Sequence, residues 1–147
     1  MLLAACSRSN RQDSAPSETG HGGDTSPPVP VDPCFDGVPG ADWVGLSLAK
    51  YPELDALYGS AVVRIDGQEV VIAQVDKDCY VALNRSCTHE GCPIEYRDSN
   101  RFVCTCHGAL FGFTGEVLGG PAPRPVDVYA VVRVDDTIWV RPTPGLE

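Results

Sequence analysis

After Cys34 the chain is built from short runs of β-branched and aliphatic residues, punctuated at close intervals by turn residues. Val44, Leu46 and Leu48, entered from Trp43, alternate with small or polar positions as in a first strand. Tyr51 to Tyr58 reads as a turn or a single helical turn. Ala61 to Asp66 and Glu69 to Val75 are strand runs, and Asp66-Gly67 between them signals a hairpin because both residues tolerate positive φ. Asp76-Lys77-Asp78 turns the chain into Cys79 to Leu83. Val126 to Val134 reads as one further run, turning at Asp135-Asp136 into Thr137 to Arg141. No helical period is sustained over three turns. Many short strands with regular turn signals predict an all-β sandwich or barrel.

Ahead of Cys34 the pattern vanishes. Ser7 to Pro33 is rich in Ser, Gly, Pro and Asp and has almost nothing apolar to bury, so residues 7–33 are expected to form a disordered tether. The first residues end in Leu3-Ala4-Ala5-Cys6, which resembles a bacterial lipoprotein cleavage box. Residues 1–6 then read as the end of a truncated signal, with Cys6 as the lipid anchor candidate. The apolar run is shorter than the roughly 7–15 residues of a signal core, and basic residues are missing ahead of it. No segment approaches the ~20 apolar residues of a transmembrane helix. Residues 34–147 are the expected folded domain.

Two boxes carry the chemistry: C-T-H-E-G-C-P from Cys87 to Pro93 and C-T-C-H-G-A-L-F from Cys104 to Phe111. Thiolate and imidazole together select zinc or iron–sulfur chemistry. Two cysteines and two histidines hold one zinc tetrahedrally, or a two-iron cluster with thiolates on one iron and imidazoles on the other. A lone zinc has no use for the extra cysteines, Cys92 and Cys106. A third box, Gly119-Gly120-Pro121-Ala122-Pro123, follows.

With these three boxes in this order, the chain resembles the Rieske iron–sulfur family in its cytochrome bc-type branch. The resemblance implies one [2Fe–2S] cluster per chain, held by Cys87 and Cys104 on one iron and His89 and His107 on the other. It implies a Cys92–Cys106 disulfide clamping the two loops, a bridge that Rieske ferredoxins and ring-hydroxylating oxygenases lack. It places Pro121 in a proline loop covering the cluster. It implies the Rieske fold, an antiparallel base sandwich with a smaller cluster-binding subdomain inserted at about 85–125. Three positions depart from the high-potential pattern. Ala109 and Phe111 stand where a Ser and a Tyr donate hydrogen bonds to cluster sulfur, and Glu90 replaces an apolar residue beside the first histidine. Losing the donors lowers the potential, and a carboxylate at the tip disturbs an apolar quinol-docking surface.

The chain has 147 residues, seven cysteines and a formal net charge of -9. Acidity argues against nucleic-acid binding and suits a carrier that docks on a basic partner. The implied disulfide calls for an oxidising, extracytoplasmic compartment: periplasm, or the outer face of a membrane reached through a lipid anchor. With Cys6 assigned to lipid, Cys34 and Cys79 remain. An even remainder invites a second disulfide; the alternative is a buried strand residue and a loop thiol. The functional expectation is electron transfer as the iron–sulfur component of a quinol:cytochrome c reductase-like chain, with a cytochrome b- or c-type partner and possible contact with quinol. The alternatives are a stand-alone lipid-tethered carrier, the small subunit of another oxidoreductase such as a molybdenum oxidase, or a redox sensor or binding module. No turnover by the domain alone is expected.

Overall fold

The structure, a computed structural model, describes Cys34 and residues 37–88, 90–97 and 101–145. Cys6, the 7–33 tether and His89 lie outside the described residues.

Among the described residues, eleven strands form three antiparallel sheets. β1 (Val44–Ser47), β11 (Thr137–Val140) and β10 (Val131–Val134) make the first, in the order β1-β11-β10. β2 (Ser60–Ile65), β3 (Gln68–Asp76), β4 (Cys79–Asn84) and β9 (Val128–Tyr129) make the second, in that order. β5 (Ile94–Arg97), β6 (Arg101–Cys104), β7 (Leu110–Phe111) and β8 (Val117–Gly119) make the third.

Side-chain alternation explains why the second sheet lies in the middle. Successive residues of a strand point to opposite faces. On β3, Val70 and Ile72 join one core with Leu46, Val131, Ile138 and Val140 of the first sheet. Val71, Ala73 and Val75 join another with Ile94, Phe102 and Phe111 of the third. β4 divides likewise, Tyr80 and Ala82 to one side, Cys79, Val81 and Leu83 to the other. These two strands are buried on both faces between their ends, which is why Val70 to Ala73 and Cys79 to Leu83 are unbroken apolar runs. β2 lies at the edge of the sheet and alternates: Ala61, Val63 and Ile65 are buried while Val62 and Arg64 are exposed.

The turns form where sequence chemistry placed them. Asp66 and Gly67 adopt φ of 49° and 79° between β2 and β3, the paired positive φ of a tight hairpin. Asp78 and Asp135 also take positive φ at their turns. Tyr51 to Tyr58 contains a single 3-10 turn, Pro52–Asp55. A buried relay pins it: the Gln74 side-chain amide donates to the Tyr80 hydroxyl (2.7 Å), which donates to the Leu54 carbonyl (2.8 Å).

One expectation is corrected. Val126 to Val134 is not one strand. It divides at the fully buried Ala130 into β9, which pairs with β4, and β10, which pairs with β11. The Ala130 carbonyl accepts from Arg141 N–H at 2.9 Å, so the backbone is satisfied as the chain passes between sheets. A β-branched run carries no mark of such a change of partner.

Candidate metal centre

The second sheet delivers the first box and the third sheet delivers the second. β4 leads from the central core into Cys87, and an isolated bridge between Ser86 and Pro93 closes the base of that loop. Within it, Cys87 N–H donates to the Cys92 carbonyl (2.9 Å) and Gly91 N–H to the Cys87 carbonyl (2.8 Å). Gly91 takes φ of 71°, which turns the loop back on itself. The second box is the β6–β7 hairpin. Cys104 N–H donates to the Ala109 carbonyl (2.8 Å), and Gly108 N–H to the Cys104 carbonyl (3.1 Å).

The two loops are joined covalently. Cys92 and Cys106 form a disulfide, Cα to Cα 6.0 Å. Thr105 adds two hydrogen bonds, its N–H (3.1 Å) and its hydroxyl (3.2 Å) both donating to the Pro93 carbonyl. The third box closes against them. Thr88 donates its hydroxyl to the Arg124 carbonyl at 2.7 Å. Gly120, at φ of 84°, lies so close that an added Cβ would stand 2.6 Å from the Ala109 Cα. Only glycine meets both conditions.

This arrangement sorts the candidate donors by exposure. Cys87 and Cys104 are outside both disulfides and buried, at 3% and 1% exposure. His107 is at the surface, its side chain 46% exposed. Ala109 and Phe111 are fully buried in the core shared with Cys87 and Cys104. Pro121 is exposed while its neighbour Ala122 is buried. Glu90 was singled out for its place beside His89; in the fold its carboxylate lies 3.6 Å from Nδ1 of His107, on the other loop. That is ion-pair range but longer than a hydrogen bond. An open polar groove of about 570 Å³ runs between the Asn84–Thr88 segment and Arg124–Asp127, with Cys87 in its wall.

Two residues escaped the sequence reading: Thr88 and Thr105. Each directly follows the cysteine that opens its box, and each ties its loop to another segment. The repeated Cys-Thr pair was the available signal. The remaining cysteines also pair: Cys34 and Cys79 form a second disulfide across 45 positions, with Cα atoms 5.0 Å apart.

Buried thiols on covalently clamped loops, with an imidazole at the surface, fit a mixed sulfur–nitrogen iron cluster. Residues 47–130, more than half of the chain, match the Rieske [2Fe-2S] domain. The chain is 31% identical over 121 residues to the cytochrome b6-f complex iron-sulfur subunit 1 of a Synechocystis strain, covering 82% of this chain and 60% of that one. It is 35% identical over 82 residues to the cytochrome b6-f complex iron-sulfur subunit of Synechococcus elongatus, covering 54% of this chain and 46% of that one. The chain thus spans about half to three-fifths of the length of these relatives. Among solved structures, the plasma membrane Rieske protein PetC3 of Synechocystis PCC 6803 superposes with a TM-score of 0.54 at 32% identity, over 67% of this chain and 97% of that one. The ferredoxin of carbazole 1,9a-dioxygenase from Nocardioides aromaticivorans superposes with a TM-score of 0.59 at 24% identity, over 70% and 100% of the two chains, a likeness of fold alone. By domain match and by fold, the chain belongs to the Rieske [2Fe-2S] family, whose cofactor is one [2Fe–2S] cluster.

Proposed function

We propose that the chain transfers single electrons outside the cytoplasm, as the iron–sulfur component of a quinol:cytochrome c reductase-like chain. Cys87, His89, Cys104 and His107 are the proposed ligands. The observation that carries this reading is the pair of buried thiols, Cys87 and Cys104, beside a disulfide-clamped loop pair with His107 at the surface. When bound, a [2Fe–2S] cluster supplies one-electron reduction and oxidation at a potential that its histidine ligands raise.

The protein's own groups do the rest. Burial of Cys87 and Cys104 keeps water from the sulfur side. The Cys92–Cys106 bridge and the hydrogen bonds of Thr88 and Thr105 hold the loops in one geometry, so little rearrangement accompanies a change of charge. His107, half exposed, offers a partner a short path from the surface. Two disulfides in one small domain support an oxidising compartment, and Cys6 is the proposed point of lipid attachment. The relatives named as cytochrome b6-f subunits support a cytochrome-type partner.

Glu90 favours a second reading: a lipid-tethered carrier, or the small subunit of a molybdenum oxidase, that meets only proteins. A carboxylate beside His107 is ill suited to an apolar quinol pocket because its burial without a cation is costly. Reconstitution with quinol, a cytochrome b partner and cytochrome c separates the two. Quinol-dependent reduction of the chain supports the first reading. Reduction by a soluble protein donor, with none by quinol in any reconstituted complex, supports the second.

A further inference from the structure

The three loops around the site, residues 87–93, 104–109 and 119–123, carry one formally charged side chain apart from histidine: Glu90. Its side chain is 56% exposed and stands beside the 46% exposed imidazole of His107. Apart from His89, which lies outside the described residues, and the buried Cys87 and Cys104, the rest of these loops is Gly, Pro, Thr, Ala and half-cystine, with Gly91, Pro93, Thr105, Gly108 and Pro121 all exposed. A partner that comes close enough to His107 for electron exchange therefore covers Glu90 as well. Covering this carboxylate with a surface that offers no cation is unfavourable, because nothing replaces the water it loses. His107 is no substitute for a cation on the partner, because its Nδ1 lies 3.6 Å from the carboxylate, beyond hydrogen-bond length.

We infer that the His107 tip docks a protein whose contact surface presents a lysine or arginine opposite Glu90, and that Glu90 sets the preference for cationic over anionic or apolar partners. The net charge of -9 acts in the same direction, steering a cationic protein toward the molecule at long range, while Glu90 fixes where it lands. Arg124 flanks the tip on the groove side, beyond the third box, so the field is not uniformly negative. The anionic spot is local to the His107 side. This inference rests on the proposed electron-transfer role and names the chemistry of its partner.

The test uses the full chain with its cluster, as wild type, Glu90→Gln and Glu90→Lys. A cationic cytochrome c made redox-inert by replacing its iron with zinc serves as one probe. A flavodoxin, which is acidic, serves as the other. Dissociation constants are measured at low and at tenfold higher ionic strength, and the visible spectrum and midpoint potential are recorded for each form. We expect Glu90→Gln to weaken binding of the cationic probe about two- to fivefold at low salt, the worth of one exposed charge pair, and to flatten the salt dependence. Glu90→Lys is expected to shift the preference toward the acidic probe. Equal affinity of all three forms for the cationic probe, with intact cluster spectra, would overturn the docking inference and leave the electron-transfer reading standing. Preferential binding of wild type to quinol-loaded detergent micelles over the cationic probe would also overturn it. A wild-type chain without a cluster spectrum would instead overturn the reading on which it rests.

Discussion

We propose that Ala109 and Phe111, where the family resemblance implies a Ser and a Tyr, lower the potential by withholding donors from cluster sulfur. Both are fully buried in the core that holds Cys87 and Cys104, so hydroxyls introduced there face protein rather than water. A donor aimed at cluster sulfur favours the more negative, reduced state. If that preference is about 1 kcal/mol, a one-electron potential rises by about 40 mV. Ala109→Ser and Phe111→Tyr are each expected to raise the midpoint potential by that order in a redox titration; an unchanged potential in both would mean that neither position faces the cluster. At this scale the sequence was informative because spacing places each box residue relative to its cysteine. It was silent on Glu90 meeting His107, since contact between residues of two loops depends on how a disulfide and a shared carbonyl bring those loops together. His89 lies outside the described residues, and its place among the ligands is a proposal.

Strands and turns were legible where turn chemistry is explicit. Asp66-Gly67 and Asp135-Asp136 announce reversals because Asp and Gly tolerate positive φ, which Asp66, Gly67 and Asp135 adopt. The third sheet was not read as a sheet: β7 and β8 have two and three residues, too short for a period of two to show. Their pairing follows from the fixed ends of the second box. The Val126 to Val134 run hid a change of sheet at Ala130 for the opposite reason, being uniformly strand-like. The Cys34–Cys79 disulfide was visible only as a remainder, since no sequence signal gives the distance between them. It closes a separation of 45 positions, for which chain entropy gives about 4 kcal/mol. Cys79→Ser is expected to lower thermal stability by up to that amount with the cluster spectrum unchanged, because Cys79 opens β4 and Cys87 follows its far end. Loss of the spectrum in proportion to loss of stability would show that the two ends of β4 are not independent.

Among the described residues, two sheets flank a central one whose strands β3 and β4 are buried on both faces. Its two cores have separate duties: one stabilises the base, and the other includes Cys87 and Cys104. Strand count and turn spacing were enough to give an all-β class, and paired runs were enough to suggest a sandwich. The sharing of β3 and β4 between both cores accounts for the unbroken apolar stretches Val70 to Ala73 and Cys79 to Leu83. Burial also leaves a pH signature. Tyr129 sits in the first core, and desolvation raises its phenol above the ordinary value of 10.0. The unfolded chain therefore ionises first, so Tyr129 contributes stability that is fully present below about pH 10 and is lost as pH rises through the raised folded value. Thermal melts from pH 8 to 11 are expected to show that loss, and Tyr129→Phe to reduce it. An identical alkaline slope in the Phe variant would assign the loss to other groups. Chemical analysis for iron, zinc and acid-labile sulfide, taken with the EPR spectrum of the reduced protein, reaches the ligand set most directly. Two irons and two sulfides per chain, with a rhombic signal abolished by alanine at Cys87, His89, Cys104 or His107, is the predicted result; one zinc with no labile sulfide, or a signal that survives those changes, would contradict it.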